Sequence, residues 1–594
     1  MNTPQKQKFL LAIIKPSHYD DEGYVIQWVR SFIPSNSLAC LIGLAQDVQE
    51  RQALGTDVDI EVAAYDECHT VVPVQSLIRR IHASEGGGLV LLAGVQSNQF
   101  PRAADIASEF RAAGIPVAIG GFHVSGCLSM LAEQPPEIKA VQALGVTLFA
   151  GEAEGRLEGL LHDALHGQLQ PVYNFLLDLP ALEGQVMPYL PPDIARRSFN
   201  FTAFDIGRGC PFRCSFCTII NVQGRKSRHR DADDVERLIR SYIAQGVNRF
   251  FITDDNMARN KNWESIFDRL IELREKENIR LKIFIQVDTM CHKIPNFIEK
   301  ATRAGCKRVF IGMESVSPEN LAAAKKFQNR ISEYRIMLQK WRDHGALTHA
   351  GYILGFPADT PQSIERDIRV LQEELPIDIV EFFILTPLPG SEDHKVLAEQ
   401  GTAMDSDMNR YDTEHVTTAH ARMTNEEWLA AYDRAWHLYY SPEHVERMMR
   451  RAEVSGLGAR KIKGAVMLYY GSYLSEKLHP LQCGVLRRKV RTTRRPTFPR
   501  ENPLLFYPRR LWEIASTAVK TGLYYLLLER LRRKVETDPQ AQAYTDLSLT
   551  AVVEPPPLPV LSCVAPEVPL EVVPLNPRLA PLVAVNSTPV RRVA

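Results

Sequence analysis

Short apolar runs alternate with amphipathic segments over the first 150 residues of the chain. The runs are rich in Val, Ile and Leu, as in buried strands; they are FLLAII (9–14), DIEVAA (59–64), LVLLAGV (89–95), PVAIGG (116–121) and VTLFAG (146–151). Between two of them, residues 101–114 place Ala104, Ile106 and Phe110 on one face of a predicted helix. Strands separated by helices predict an α/β fold with a doubly wound, Rossmann-like sheet of flavodoxin type.

A second array of the same kind begins near residue 201. Its candidate strands are FTAFDIG (201–207), RFFIT (249–253), LKIFIQV (281–287), KRVFIGM (307–313), HAGYILG (349–355) and DIVEFFIL (378–385). The segment 231–246 starts with Asp231, a favourable helix cap, and carries its apolar residues on one side. Six strand–helix units predict a partial (β/α)6 barrel, whose active site lies at the C-terminal ends of the strands.

Segments of different composition separate and follow these arrays. Residues 171–198 are rich in proline and lack periodicity, as in a linker, whereas residues 401–535 show a helical pattern. The last 44 residues contain ten prolines and no aromatic residue, which is typical of a disordered segment. We therefore predict five regions: a sheet domain (1–170), a linker (171–198), a barrel (199–400), a helical domain (401–535) and a Pro-rich tail (536–594).

Composition narrows the class of protein. Of the 594 residues, 45% are hydrophobic and 24% charged, and 70 basic residues balance 70 acidic ones. This balance gives no reason to expect a nucleic-acid partner. The N-terminal apolar run is too short for a signal peptide, and no run reaches the roughly 18 apolar residues of a membrane span. We therefore expect a cytoplasmic protein whose ten cysteines stay reduced unless they bind metal.

Three cysteines stand close together directly after the first strand of the second array. Cys210, Cys214 and Cys217 have CxxxCxxC spacing, and glycines beside them allow the backbone to turn tightly. A structural zinc site is the alternative, but it needs four ligands and the next cysteine is Cys291. Three thiolates on a four-iron cluster leave one iron open, as a catalytic cluster requires.

With Phe216 before the third cysteine, the loop GRGCPFRCSFC (207–217) resembles the signature of the radical S-adenosylmethionine (SAM) superfamily. The resemblance implies that the three cysteines ligate a [4Fe–4S] cluster, whose open iron binds the amine and carboxylate of SAM. It also implies that an external donor such as flavodoxin or ferredoxin supplies an electron that cleaves SAM. The products are methionine and a 5′-deoxyadenosyl radical, which takes hydrogen from the substrate.

Residues at the later strand ends agree with this resemblance. The end of the second strand suits the amine, the ribose or the substrate, the end of the fourth the ribose and amino acid, and the end of the fifth the adenine. The segment 386–391 resembles the family's closing turn. The predicted SAM contacts are Phe216, Asp254, Asp255, Glu314, Ser315 and Gly355. A plain helix cap is the alternative role for Asp254 or Asp255.

The front sheet carries small and polar residues at its strand ends, where ligands bind in doubly wound sheets. Such a domain ahead of the barrel, with the segments 93–126 and 148–155, resembles the cobalamin-binding radical SAM enzymes. The resemblance covers residues 8–440 and implies cobalamin contacts from Gln96, Ser97, Asn98, Gly120, Gly121, His123, Gly151 and Glu152. The DxHxxG motif of cobalt-ligating histidines is missing after the first strand, and the similar segment 121–126 has Gly in place of Asp. We therefore expect cobalamin without a protein histidine on cobalt.

The resemblance implies methylation of an unactivated carbon of a small molecule, although relatives also close or rearrange rings. A methylthiotransferase is one alternative, since such enzymes bind a second cluster through front-domain cysteines. Cys40, Cys68 and Cys127 are available, but they fall in helix-like or loop positions, and the C-terminal region lacks the expected β-barrel pattern. A non-catalytic metal-binding scaffold is the other alternative.

A basic stretch (487–500) precedes an apolar helical segment with a basic end (511–534). We expect the stretch to be a solvated surface and the helix to pack on the barrel. Peripheral membrane contact through residues 487–534 is the alternative.

Overall fold

The computed structural model describes residues 6–552. The N-terminal part of this range contains strands β1 Gln7–Lys15, β2 Gln27–Ser31, β3 Val58–Asp66, β4 Gly88–Leu92, β5 Val117–Gly120, β6 Thr147–Ala150 and β7 Val172–Asn174. Its helices are α1 Asn36–Glu50, α2 Val74–Ala83, α3 Phe100–Ala112, α4 Phe122–Met130, α5 Pro136–Ala143 and α6 Leu157–Leu165.

The first sheet is parallel, with strand order β3–β1–β4–β5–β6–β7. Its central strands are buried on both faces: Leu11 and Ile13 face one apolar cluster, and Leu10 and Ala12 face the other. The five strands predicted from the apolar runs and the doubly wound arrangement are confirmed. The edge strand β7 lies inside the predicted linker, because three residues are too few to produce a recognisable period.

The second array contains strands β8 Phe201–Phe204, β9 Gly207–Arg208, β10 Arg228–His229, β11 Arg249–Ile252, β12 Lys282–Val287, β13 Cys306–Glu314, β14 Leu347–Leu354 and β15 Ile379–Ile384. Its helices are α7 Pro192–Arg197, α8 Ile219–Val222, α9 Ala232–Ala244, α10 Trp263–Glu275, α11 Phe297–Arg303, α12 Pro318–Ala323, α13 Tyr334–Asp343, α14 Pro361–Glu373 and α15 Glu392–Glu399. A parallel sheet in the order β15–β14–β13–β12–β11–β8 forms the predicted partial barrel. The Asp231 side chain accepts the Asp234 N–H and caps α9, as predicted.

The C-terminal region is helical, as predicted, with α16 Asn425–Tyr439, α17 Pro442–Val454, α18 Ala459–Glu476, strand β16 Gly484–Arg488 and α19 Pro503–Glu536. Strand β16 pairs antiparallel with β2, which the sequence analysis missed. The basic stretch is partly neutralised here: Arg487 contacts Asp20 at 2.6 Å, Lys489 contacts Glu513 at 3.3 Å, and Arg495 also has an acidic partner. It is therefore a packed segment and not the solvated surface we expected.

The predicted start of the disordered tail at residue 536 is too early. Residues 541–543 and 547–549 form 3-10 turns, and the Arg451 side chain contacts Asp546 at 2.7 Å. The rest of the predicted tail lies outside the described residues. Between residues 6 and 552, no helix combines the length and apolar content needed to cross a bilayer.

Candidate functional site

The cysteine loop lies at the C-terminal end of the first barrel strand. Cys214 is buried, and Cys210 and Cys217 are partly buried. Burial raises the pKa of Cys210 to about 11 and of Cys217 to about 12, and the neighbouring Cys214 thiol contributes to both shifts. The three thiols are thus close enough to interact. Because the protein alone disfavours the thiolate forms of Cys210 and Cys217, a bound metal is needed to hold these two deprotonated.

Backbone contacts fix the loop around the thiols. Gly209 has a φ of +90°, and a Cβ there would lie 2.5 Å from the Lys226 carbonyl oxygen. Its N–H donates to the Asp255 carboxylate at 2.6 Å, and the Cys210 N–H donates to the Gly224 carbonyl at 3.2 Å. The loop is therefore held in one conformation before any ligand binds.

Two polar side chains beside the thiols were missed by the sequence analysis. Gln328 Nε2 donates to Cys214 Sγ at 3.5 Å, and the buried Lys326 ammonium interacts electrostatically with Cys214 and Cys217. Lys326 also forms an ion pair with Glu314 and lies 5.7 Å from the centroid of the Phe216 ring. Both residues follow α12 in a loop without a recognisable motif. They place a positive charge and an amide next to an anionic metal centre.

The two predicted aspartates have different roles. Asp254 accepts the Asn256 N–H at 2.9 Å and the Asn260 amide at 2.6 Å, so it organises the loop after β11. Asp255 holds Gly209, as described above. Burial raises the pKa of Asp254 to about 6 and of Asp255 to about 7. The Asp255 carboxyl interacts electrostatically with Cys210, but the hydrogen bonds of both aspartates support the loops.

The other predicted SAM contacts line the neighbouring strand ends. Glu314 has a φ of +63°, a strained conformation for a residue with a side chain, and it ends β13 where the register with β14 shifts. The Ser315 hydroxyl accepts the Ser317 N–H at 3.0 Å. Gly355 has a φ of +101°, and a Cβ there would lie 1.8 Å from the Trp428 ring. Glycine at position 355 thus lets the Trp428 ring cover this strand end.

A cavity that opens to solvent lies between the first sheet and the cysteine loop. Apolar side chains of α1, α6 and the sheet form its walls: Leu41, Leu44, Leu91, Phe149, Leu157 and Leu160. Glycines at the strand ends, among them Gly120, Gly121 and Gly151, form another side of the cavity. At Gly121 a Cβ would lie 2.2 Å from the Val95 backbone nitrogen. The polar side of the cavity includes Glu152, Arg208 and Gln223.

Arg208 joins the two sheets at this cavity. Its buried guanidinium contacts Glu152 at 2.7 Å, Glu154 at 2.6 Å and Asp205 at 2.9 Å. Arg228 also forms an ion pair with Glu152. Residues on either side of the cavity are therefore fixed relative to each other by a buried charge network.

Residues 204–371 match the family model of the radical SAM superfamily. The match covers the cysteine loop and the strand ends described above. Within these residues the chain is thus similar to the radical SAM superfamily.

Similar proteins extend this likeness beyond the barrel. A bacteriochlorophyllide d C-8(2)-methyltransferase of Chlorobaculum tepidum is 28% identical over 339 residues, which cover 53% of this chain and 69% of the relative. The radical SAM methyltransferase TsrM of Kitasatospora setae, solved with cobalamin and a [4Fe–4S] cluster, has a TM-score of 0.52 at 16% identity; 74% of this chain and 90% of TsrM are covered. The cobalamin-dependent SAM radical enzyme OxsB, solved with aqua-cobalamin and SAM, has a TM-score of 0.51 at 13% identity, covering 91% and 82%. The two solved structures show that the present fold is that of cobalamin-dependent radical SAM enzymes.

The predicted cobalamin contacts fall into two groups. Gly120, Gly121, Gly151 and Glu152 line the cavity. Gln96, Ser97, Asn98 and His123 do not belong to its lining. The His123 ring packs on Phe100, with centroids 4.3 Å apart, and its Nδ1 lies 3.1 Å from Ser97 Oγ. Sequence spacing had placed this histidine at a strand end, but the helix α4 turns its side chain away from the cavity.

The three front-domain cysteines Cys40, Cys68 and Cys127 lie in separate surroundings and do not form a second ligand set. Cys40 Sγ lies 3.4 Å from an Asp205 carboxylate oxygen, Cys68 Sγ lies 2.8 Å from Lys15 Nζ, and Cys127 packs beside His123. These separate surroundings disfavour the methylthiotransferase alternative. The C-terminal region is also helical where that alternative expects a small β-barrel.

The concave face of the barrel sheet carries a buried polar pair that the sequence analysis missed. The side chains of Phe284, Phe310, His349 and Glu381 alternate along their strands with residues packed against the helices. His349 Nε2 lies 3.2 Å from Glu381 Oε2, yet both ring nitrogens and both carboxylate oxygens lack a hydrogen-bond partner among the described residues. An aromatic chamber with unsatisfied polar atoms is suited to a ligand that has both an apolar body and polar groups.

Proposed function

We propose that this protein is a cobalamin-dependent radical SAM methyltransferase that methylates an unactivated carbon of a small molecule. The observation that carries the proposal is the adjacency of two sites: the three-cysteine loop begins directly after Arg208, and Arg208 lines the front cavity. Two cofactors bound there would lie on either side of one strand end. The similarity to a named methyltransferase supports methyl transfer as the reaction.

The residues fit the two cofactors chemically. We propose Cys210, Cys214 and Cys217 as the cluster ligands, because they are the three thiols that interact with one another. The proposed SAM contacts are Phe216, Asp254, Asp255, Glu314, Ser315 and Gly355. We propose Gly120, Gly121, Gly151 and Glu152 as cobalamin contacts, because they line the cavity. None of the cavity-lining residues is a histidine, which supports cobalamin without a protein imidazole on cobalt.

When bound, the cluster supplies the electron that cleaves SAM, and cobalamin supplies a methyl group to the substrate radical. The chain contributes position and charge. Asp255 fixes the loop through Gly209, and Lys326 places a positive charge beside the thiolates, where it favours addition of an electron. Trp428 closes the strand end at Gly355 and excludes water from the reaction chamber.

We propose four regions with the bounds predicted from the sequence: a cobalamin domain (1–170), to whose sheet β7 adds residues 172–174, a linker (171–198), a radical SAM barrel (199–400) and a helical domain (401–535). We also propose a one-electron donor such as flavodoxin or ferredoxin, because SAM cleavage consumes an electron. A cytoplasmic location would supply such a donor and keep the free thiols reduced.

The helix α19 supports a further proposal, that the protein contacts an anionic membrane surface. One face of α19 packs inward through Phe506, Tyr524 and Leu528. The opposite face exposes apolar side chains, with Leu504 81% and Trp512 74% exposed; its other members are Leu505, Leu511, Val519, Leu523 and Leu526. Exposed Lys520 and Arg530 flank this face and provide charges complementary to lipid phosphates.

Anaerobic reconstitution with iron and sulfide tests the catalytic proposal. The protein should bind about four irons per chain, bind cobalamin, and release 5′-deoxyadenosine when SAM and a reductant are added. Cys214→Ser should abolish both iron loading and SAM cleavage. The matched control Cys306→Ser, which alters a buried thiol on β13, should retain them.

Two outcomes would contradict the proposal. Iron loading and 5′-deoxyadenosine release that survive in Cys214→Ser would exclude this cluster. Zinc binding in place of iron, with no SAM cleavage, would favour the scaffold alternative.

A further inference from the structure

A cluster of metal-ligating side chains lies outside the cofactor cavity, between α4, α5 and α15. His123 Nε2 lies 3.9 Å from Cys127 Sγ and 3.5 Å from Glu137 Oε1. The three ligand atoms all lie within 4.8 Å of one another. His123 and Cys127 are one helical turn apart on α4, so both side chains extend from the same face.

A fourth residue reaches this cluster from the barrel. His394 on α15 interacts electrostatically with both His123 and Glu137. His394 can reach the cluster because α4 packs directly on the turn that precedes α15. A Cβ at Gly126 of α4 would lie 2.3 Å from the Pro389 carbonyl oxygen in that turn. Only glycine permits this contact.

The His394 side chain points to a missing ligand. It is 6% exposed, and its Nδ1 is buried without a hydrogen-bond partner in the described part of the chain. A buried imidazole nitrogen without a partner is rare and costs free energy.

The geometry points to a transition-metal site formed by His123, Cys127, Glu137 and His394, with Zn²⁺ as its ion. In a tetrahedral zinc site, neighbouring ligand atoms are about 3.3–3.8 Å apart, so the separations around His123 need only small adjustments. Ser97 Oγ lies 3.1 Å from His123 Nδ1 and can accept its proton, which leaves Nε2 free for the metal. Two histidines, a thiolate and a carboxylate form a donor set that zinc prefers.

Such a site would fasten the front sheet to the barrel. Three ligands come from the front domain and one from α15, so the ion would cross-link the two parts of the chain. Its binding is independent of SAM cleavage, and the inference does not depend on the proposed function.

Metal analysis tests the inference. The cluster-reconstituted protein, produced in zinc-supplemented medium and passed over a weak chelating resin, should retain about one zinc per chain beside about four irons. His123→Ala and Cys127→Ser should each lower the zinc content at least tenfold while the iron content is unchanged. His82→Ala, which removes an exposed histidine of α2, is the matched control and should retain the zinc.

The cluster cysteines could themselves take up zinc, so the measurement is repeated with Cys210, Cys214 and Cys217 all changed to alanine. About one zinc per chain should remain in this variant. Zinc-edge X-ray absorption should then show one sulfur and three nitrogen or oxygen neighbours. This measurement needs no further substitution and stays decisive if the His123 variant fails to fold.

Three results would overturn the inference: no zinc retained by the parent protein, zinc unchanged in both ligand variants, or an absorption spectrum without a sulfur neighbour. None of these would bear on SAM cleavage. Conversely, loss of SAM cleavage with zinc retained would refute the proposed function alone.

Discussion

At the scale of single residues, Lys326 has a position that gives it two roles. It neutralises Glu314, whose backbone is strained, and it faces the thiols of the cysteine loop. A charge at this place should both hold the cluster and make it easier to reduce.

Lys326→Met should therefore lower the rate of SAM cleavage about 10- to 100-fold, since outer partners of a metal site typically contribute that much. The cluster's reduction potential should become more negative, which spectroelectrochemistry measures. The adjacent Lys325, 44% exposed and paired with Glu392, gives the matched control Lys325→Met, with little expected change. An unchanged potential in Lys326→Met would refute the electrostatic role.

A second single residue makes stability depend on pH. His415 lies between Asp412, at 2.9 Å, and Asp21, at 3.2 Å. Burial lowers its pKa, but the hydrogen bonds to the two carboxylates outweigh this and raise the pKa to about 10. The ion pairs of protonated His415 therefore stabilise the fold fully below about pH 6.5, the pKa of histidine in the unfolded chain. This stabilisation is lost as the pH rises through the folded-state pKa of about 10.

Between pH 6 and pH 10 the free energy of unfolding should consequently fall more in the parent protein than in His415→Gln, by about 2 kcal/mol. Urea unfolding at a series of pH values measures the difference. The exposed His344 gives the control His344→Gln, which should follow the parent curve. Parallel curves for His415→Gln and the parent would show that the pair does not act on stability.

The sequence predicted the site residues unevenly, for physical reasons. The three cysteines were found because ligand spacing on one loop is local in sequence. Lys326 and Gln328 were not, because they approach the thiols from a distant loop. Glu152 was predicted to face a ligand; it does line the cavity, but ion pairs with Arg208 and Arg228 occupy its carboxylate.

At the scale of elements, α19 is the helix whose surface departs most from ordinary packing. We expected it to pack on the barrel, and one face does contact the helical region: α18 and α17 are its neighbours. The apolar residues of the opposite face have no such contact and suggest a lipid surface.

Replacing Leu511, Trp512 and Leu526 together by serine should reduce co-flotation with phosphatidylglycerol vesicles at least tenfold, because each loses a large apolar surface from the bilayer interface. Leu177→Ser, which changes a fully exposed leucine distant from α19 in the sequence, is the control. Equal flotation of all proteins would refute membrane contact. A concentration-dependent dimer that the triple substitution abolishes would assign the face to a second copy instead.

Elements with a strong period were predictable, and short or distant ones were not. The central strands of the first sheet are buried on both faces, and β12 and β13 of the barrel alternate between buried and partly exposed residues, so both patterns were visible in the sequence. The β2–β16 ladder was not, because its partners lie at opposite ends of the chain and β16 is highly basic. The start of the tail was misplaced because the segment 541–549 is held by contacts such as Arg451–Asp546 and not by an apolar pattern of its own.

At the scale of the whole molecule, Arg208 is the residue on which the relation between the cavity and the loop depends. Arg208→Met should destabilise the protein by about 3–5 kcal/mol, because Glu152, Glu154 and Asp205 would each lose a buried ion pair. Cobalamin affinity should fall as well, since the cavity loses its fixed wall.

Denaturant unfolding and cobalamin titration measure these two effects. Arg225→Met changes an exposed arginine of the same loop and serves as the control. A stable Arg208→Met protein that still binds cobalamin normally would show that the two sheets are held together by other contacts.

The ladder between β2 and β16 has a consequence for how the protein is made. The Trp28 indole donates to the Gln482 carbonyl at 2.9 Å across 454 positions of sequence, and no earlier segment supplies that partner. During synthesis on the ribosome, the edge of β2 (Gln27–Ser31) that pairs with β16 therefore stays unpaired until nearly the entire barrel has emerged. Nascent chains arrested before residue 480 should depend on chaperones, and those released after residue 500 should need them far less.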